Sequence, residues 1–350
     1  MNSSGPAESP GGQGEGSWAW LAAGDGRHYC HRGRFRRAST PPADRLAWYV
    51  NDFTLSDPQP WRIPDGESEE MAVERKPALA PAMTWHGADR AVFDAAFSRI
   101  MAGIAAGRLV KAVPVSTAAG ECPGGIGPWV RRCLGMDGGG AGGYAFGWNE
   151  GSRGFGGFSP EILFQIEGRR LTSMALAGTV DAAHAGELEL TPKLGREHAV
   201  VVDALRQRLE PFGRVMVGRR EVVAQGSIRH LRTRLNVQLD EEPGPAALHE
   251  LVQRVHPTPA LGISPCRDDT LEELHAVREA AQAPASFGAP FGVSYPGGAL
   301  FIVAIRALFW EGDAVRLPAG CGLVAGSEAA TEWDEIELKR AWVRRVFGLG

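Results

Sequence analysis

Residues 300–347 read LFIVAIRALFWEGDAVRLPAGCGLVAGSEAATEWDEIELKRAWVRRVF. The run 300–312 is dense in β-branched and aromatic residues and reads as a strand. The segment from Thr331 to Phe347 has helical periodicity, with Thr331 as its N-cap. Between them lies AGCGLVAGS (319–327), which is glycine-rich but lacks the G-x-G-x-x-G spacing, and the chain has no Walker loop. Both absences argue against dinucleotide binding. Ala319 to Gly322 would expose backbone N–H groups that a carboxylate can approach; the alternative is a tight strand-to-helix turn. Arg306 sits inside the apolar run. A guanidinium among Val and Ile needs an anion, because an unpaired buried charge is costly. That anion is either a ligand carboxylate gripped by two N–H groups or an internal Asp or Glu.

Outward from this stretch, strand-like segments come in runs. EILFQIEG (161–168), RRLTSMALAG (169–178), GRVMVGRREVVAQG (213–226) and IRHLRTRLNVQL (228–239) have strand composition or partial alternation, and LVKAVPV (109–115) is a short β-rich run. Helices are expected over 88–108, over 196–213 with Val201, Ala204, Leu205 and Leu209 on one face, and near 246–255. Without regular β-α alternation, an α+β fold is favoured over a doubly wound one. The glycine-rich stretch 138–157 reads as hairpin turns and loops. Residues 1–17 read as a disordered tail, 18–85 as an N-terminal part of the sheet core, and 86–350 as the main functional region.

The closing helix places Glu332, Glu335 and Lys339 on one face at i, i+3 and i+7. Another helix opens with Glu197 and His198. Carboxylates from two helices suit a hard cation such as Mg2+ that keeps positions for substrate and water; ordinary surface ion pairs are the competing reading. Lys111 in its β-rich run is either a partly desolvated base or a solvated edge residue.

The 350 residues carry 37 Lys and Arg against 41 Asp and Glu, a net charge of -4. That balance argues against a nucleic-acid or membrane-surface partner, and the densest basic cluster, RGRFRR at 32–37, is short. No run of about 18 apolar residues occurs, and the N-terminus lacks the pattern of a secretory signal. Five widely spaced cysteines without a CxxC pair argue against zinc and for thiols in a cytoplasmic setting.

The order of the blocks carries more than any one of them. GRLVKAVPV (107–115), FSPEILF (158–164), ALAGT (175–179), KLGREHAVVVDALR (193–206), VHPTPALG (255–262), FIVAIRALF (301–309) and LPAGCGLVAGSEAATEWDEIELK (317–339) follow one another as in the chorismate-utilising enzymes. The chain resembles that family, the anthranilate synthase component I type, and isochorismate synthase most. The resemblance covers residues 88–350, about three quarters of the chain. It implies a single large domain of face-packed β-sheets wrapped by helices, with the site in the central cleft. It also implies Mg2+ held by Glu197 and Glu335, with Glu332 acting through water. Substrate would be met by Arg306, Lys339, the Gly320 and Gly322 amides, Gly178, Thr179 and His256. Lys111 stands where water-using members have Lys and amine-forming members have Gln. It would be the base that activates water, and Glu161 the acid that protonates the departing C4 hydroxyl.

The implied reaction is chorismate to isochorismate, feeding menaquinone or a catechol siderophore, with no glutaminase subunit. The alternatives are salicylate synthase, which adds pyruvate elimination at the same site, and a non-catalytic chorismate-binding homologue. Ala177 replaces the Lys of aminodeoxychorismate-forming members, which counts against amine chemistry. The chain departs from the family pattern at Ser116 (usually Arg), Leu194 (usually acidic), after Thr179 (a missing Arg) and at PASFGAPFGV (284–293), a reduced D-R-G-x-Y-x-G-P-V-G-W block.

Overall fold

A computed structural model describes residues 16–24, 26–66, 79–135, 143–184, 186 and 191–350. Most of the expected tail, and the start of the glycine-rich stretch, lie outside these residues. One antiparallel sheet contains β1 (Trp18–Ala22), β2 (His28–Arg32), β6 (Thr84–Gly87), β8 (Val115–Glu121), β9 (Tyr144–Glu150), β10 (Arg153–Ser159), β18 (Ala307–Glu311) and β19 (Ala314–Gly320), in the order β2-β1-β9-β10-β18-β19-β8-β6. The other contains β3 (Phe35–Ala38), β4 (Ala47–Val50), β5 (Trp61–Pro64), β11 (Ile162–Glu167), β12 (Arg170–Asp181), β13 (Gly213–Gln225), β14 (Ile228–Leu239), β16 (Pro290–Tyr295) and β17 (Gly298–Val303), in the order β13-β14-β12-β11-β17-β16-β4-β5-β3. A two-stranded pair joins β7 (Lys111–Ala112) and β15 (Ile263–Ser264).

The sheets bury a common aromatic interior. Phe146 and Phe155 of the first meet Phe291 of the second at ring distances of 5.9 and 5.4 Å, and Phe164 and Phe301 extend the same core. Burying such rings, each worth about 1.5–3 kcal/mol, holds the layers together. The helices are α1 (Arg90–Ala105), α2 (Gly127–Gly135), α3 (Pro192–Leu209), α4 (Pro245–Val255), α5 (Asp268–Ala280) and α6 (Ala329–Phe347). Val201, Leu205 and Leu209 of α3 enter the core below β12 and β14. The architecture is a single-domain α+β sandwich wrapped by helices. Among the described residues, no helix is long and apolar enough to cross a membrane.

Several boundaries differ from the expectations. The run 300–312 is two strands rather than one: β17 and β18 belong to different sheets, and the chain crosses between layers at Arg306, whose φ is +55°. A bulky residue with positive φ is uncommon and costs about 1 kcal/mol or more. The same crossing occurs between β10 and β11 at Pro160 and Glu161. The crossings lie side by side, tied by Phe158 N–H to the Arg306 carbonyl (3.2 Å) and Val303 N–H to the Glu161 carbonyl (3.1 Å).

The closing helix starts earlier than expected, with Glu328 as N-cap and Thr331 inside it. The Glu197 helix opens at Pro192, so Glu197 lies in its second turn. Pro114 breaks LVKAVPV, leaving only Lys111 and Ala112 in β7 before β8 begins, since proline supplies no ladder N–H.

Candidate active site

The two crossings, the Gly178 bend of β12, the end of β19 and two helices converge on a narrow cavity of about 50 Å3. Glu161, Gly178, Thr179, Glu197, Arg306, Gly320, Gly322, Glu335 and Lys339 all line it. Nine of the residues singled out from the sequence therefore meet in one place.

Three lysines neutralise three carboxylates there. Lys111 is fully buried behind the wall, its ammonium 3.0 Å from Glu197 Oε1. The pair is within ionic contact but too poorly aligned to count as a hydrogen bond. Lys339 donates to Glu335 at 2.5 Å and to the Gly320 carbonyl at 2.6 Å. Lys193 pairs with Glu332. Burial opposes the charge on Lys193, but Glu332, Glu335 and Glu197 together outweigh it and raise its pKa. Burial, followed by the neighbouring Glu335, raises that of Glu332.

Glu161 differs from these. It is 2% exposed, its Oε1 has no hydrogen-bond partner among the described residues, and no cation lies in contact with it. Burial pushes its carboxyl from the ordinary 4.5 up to about 8, with Lys111 and Arg306 only partly opposing the rise. Burial therefore favours its protonated form at neutral pH. Burial also brings the Arg306 guanidinium down to about 10, against the pull of Glu335 and Glu161. Among the described residues no carboxylate pairs with Arg306 directly. Its side-chain partner among the described residues is His230 Nε2, at 3.4 Å. A buried guanidinium without an ionic partner is an open position for an anion.

Gly322 makes the arrangement possible. A Cβ there would stand 2.0 Å from Glu197 Oε1 and 2.8 Å from Lys111 Cε. The glycine thus lets a carboxylate and its lysine lie against the backbone, and Gly320 belongs to β19 rather than to the loop. Glu197 and Glu335 both face the cavity. An all-oxygen pair of this kind fits Mg2+, which takes one or two carboxylates and completes its shell with substrate and water. Among the described residues no three His, Cys, Asp or Glu stand close enough to form a ready-made cation cage.

His256 does not line this cavity. Its Nε2 is 2.8 Å from the Phe53 carbonyl, and burial lowers its pKa to about 4, so it is a neutral core residue that braces Phe53. Glu332 likewise lies behind the wall, on Lys193. The departures from the family pattern are filled by packing. Leu194 sits with Leu231 and Val180 in an apolar cluster beside Gly178, and Ser116 is buried opposite Ala319 in the β8–β19 ladder.

Sequence reasoning missed Lys193 and His230. A lysine in the first turn of a helix opposes the helix dipole, which is a readable sign that it has an anionic partner. His230 carried no sign, since by strand alternation it shares a phase with Arg232 and Arg234.

A family model described as chorismate binding enzyme matches residues 135–348. Over 275 residues the chain is 31% identical to the salicylate biosynthesis isochorismate synthase of Pseudomonas aeruginosa, covering 74% of this chain and 55% of that protein. It is 30% identical over 213 residues to an isochorismate synthase of Bacillus subtilis, covering 56% of this chain and 43% of that one. The chain thus spans about half the length of these relatives. In fold it is similar to a 2,3-dihydroxybenzoate-specific isochorismate synthase from Bacillus anthracis, with TM-score 0.78, 24% identity and coverage of 96% and 97% of the two chains. It also resembles anthranilate synthase component I from Streptococcus pneumoniae, with TM-score 0.64, 14% identity and coverage of 99% and 95%.

Proposed function

The chain belongs to the chorismate-binding enzyme family, and from that premise we propose that it is an isochorismate synthase, acting on chorismate with Mg2+. The observation that carries this reading is Glu161: a buried carboxyl on the cavity wall, its pKa pushed up by burial, with an oxygen that no protein group among the described residues engages. Hydroxide is a poor leaving group, and an acid held protonated near neutral pH is what departure of the C4 hydroxyl requires.

In the proposed reaction, water adds at C2 and the C4 hydroxyl leaves as water, with the ring double bonds shifting between them, so that substrate and product are isomers. Lys111 does not line the cavity in this structure and is paired with Glu197. Released from that pair and in its amine form, it would take the proton of the attacking water, while Glu161 supplies the proton to the leaving hydroxyl. Arg306 and Lys339 receive carboxylate oxygens of the substrate, and the Thr179 hydroxyl and the Gly320–Gly322 backbone fix its orientation. Glu197 and Glu335 would hold Mg2+, with Glu332 behind them, and the ion would offset charge on the C1 carboxylate. In the structure as it stands, each of these carboxylates is held by a lysine, and a cavity of about 50 Å3 has room for little more than a water or two. Binding of a dicarboxylate must therefore draw the lysine–glutamate pairs apart.

A proton NMR time course of the pure protein with chorismate and Mg2+ tests the reading. Isochorismate signals growing as chorismate falls are expected, with no need for ammonia. Release of pyruvate would reassign the chain to salicylate formation. Chorismate binding without any product would make it a non-catalytic homologue.

A further inference from the structure

We infer that Lys193 is a positioning residue of the proposed Mg2+ site: it withholds Glu332 from the cation and leaves the site two negative charges rather than three. The inference rests on the reading of Glu197 and Glu335 as the metal-holding pair. It gives a role to a lysine that the sequence left unmarked, and it removes from Glu332 the water-mediated contact that the resemblance implies.

Lys193 stands about one turn before Glu197 on α3, and Glu332 about one turn before Glu335 on α6. Helix α3 packs on β12 and β14, and α6 on β19 and β12. The Lys193–Glu332 pair therefore links the two helices that carry the proposed ligands. Glu332 is 1% exposed, and its second partner is the Ser327 hydroxyl. Neither Lys193 nor Glu332 lines the cavity. The other two pairs reach it through Glu197, Glu335 and Lys339, so a ligand can open those while this one stays closed behind the wall.

Charge matching gives the pair its use, because buried charges are costly unless they are answered. Once Lys339 turns to the substrate and Lys111 to the water, Glu197, Glu332 and Glu335 remain as largely buried carboxylates. Lys193 answers Glu332, and the charge left over is that of a single divalent ion. The next residue keeps this balance: Leu194 stands where the family pattern has an acid, and it packs with Leu231 and Val180. A lysine in a first helical turn is opposed by the helix dipole and here also by burial, yet Glu332, Glu335 and Glu197 all favour its charge. Its ammonium thus acts on all three carboxylates, and it weakens their combined attraction for a cation.

The test is the affinity of the full chain for Mg2+ alone, by titration calorimetry, with thermal unfolding of each variant alongside. Lys193→Met removes the answering charge and should tighten Mg2+ binding by about 10-fold or more. Glu332→Gln leaves Lys193 unmatched and should weaken binding by about the same factor. Lys193→Arg keeps the charge and should stay within about 3-fold of wild type. Lys193→Met combined with Glu332→Gln restores the wild-type net charge, and its affinity should return to within about 3-fold of wild type. Replacing both members of a buried pair costs little stability, so the combined variant should fold even where Lys193→Met alone does not. A combined variant as weak as Glu332→Gln would make Glu332 a ligand of the cation and overturn the inference, with the metal pair left standing. Weaker binding by Lys193→Met would overturn it too, reducing Lys193 to a brace between helices. Wild-type protein that takes up no Mg2+, or an affinity unmoved by Glu335→Ala, would remove the reading of the metal pair and this inference with it.

Discussion

The β10–β18 ladder joins two ends of the sandwich that treat charge in opposite ways. At one end, Arg153 faces Glu311 beside an open cleft of about 640 Å3 that also contains Arg37, Asp57, Arg62 and Arg316. Its arginines are matched: Arg37 and Arg62 both hold Asp57, and Arg316 donates to the Gln282 carbonyl. At the other end, where the ladder finishes at Gly157 and Ala307, the cavity is far smaller and its charges are buried. Among the described residues Glu161 has no ionic partner there, and the side-chain partner of Arg306 is a histidine. Size alone would choose the wrong end. Chemistry belongs where desolvated groups are left unmatched, because such groups are expensive unless a ligand completes them.

The largest expected effect comes from removing the two proton-transfer groups. Glu161→Gln and Lys111→Gln should each lower kcat by about 10^2–10^4-fold, measured by isochorismate formation. Lys111→Gln should also destabilise the protein, because Glu197 would keep a buried charge without its ammonium, at a cost of about 3 kcal/mol. Thermal or denaturant unfolding should show that loss, and Mg2+ should restore part of it.

The Glu161 carboxyl also sets a pH signature. Between pH 4.5 and about 8 the folded state keeps a proton that the unfolded chain has released, so its stabilising contribution falls as pH rises through that window. Activity should decline above about pH 8 as the acid ionises. Glu161→Gln should flatten the stability profile over the window; an unchanged profile would mean that the carboxyl is not held protonated.

Gly322→Ala should come next, with about 10^2-fold lower activity, since the new methyl overlaps Glu197 Oε1 and overpacking costs about 1–3 kcal/mol. Glu335→Ala should raise the Mg2+ concentration for half-maximal activity by about 10–100-fold. An unaltered metal requirement would detach Glu335 from the cation. At the far end, Arg316→Ala should change activity less than about two-fold and stability by about 0.5 kcal/mol or less. A large loss of turnover there would erase the contrast between the two ends.

The ordered blocks made most of this site legible. Glu197, Glu335, Lys339, Arg306, Gly320 and Gly322 lie in patterns whose chemistry is visible (charges on helices, an arginine in an apolar run, glycines before a helix), whereas Glu161, Gly178 and Thr179 were implied by the resemblance and His230 by nothing. What could not be read was how the run 300–312 divides. Every residue in it favours a strand, and only the layer crossing at Arg306, a tertiary event, breaks it in two. The helix Asp268–Ala280 was overlooked although Leu271, Leu274 and Val277 repeat at helical intervals, while Gly127–Gly135 was obscured by glycines at both ends. His256 misled for a physical reason, since its motif marks a sharp bend and the ring turns inward to brace Phe53 rather than outward to the cavity.

The paired layer crossings have a mechanical consequence. Glu161 and Arg306 stand on hinges shared by both sheets, each stitched to the neighbouring crossing by main-chain hydrogen bonds. Fraying either sheet from its outer edge leaves that seam intact, so amide exchange at Phe158 and Val303 should be as slow as the slowest in the molecule. The acid and the guanidinium would then keep their mutual placement until the whole sandwich comes apart.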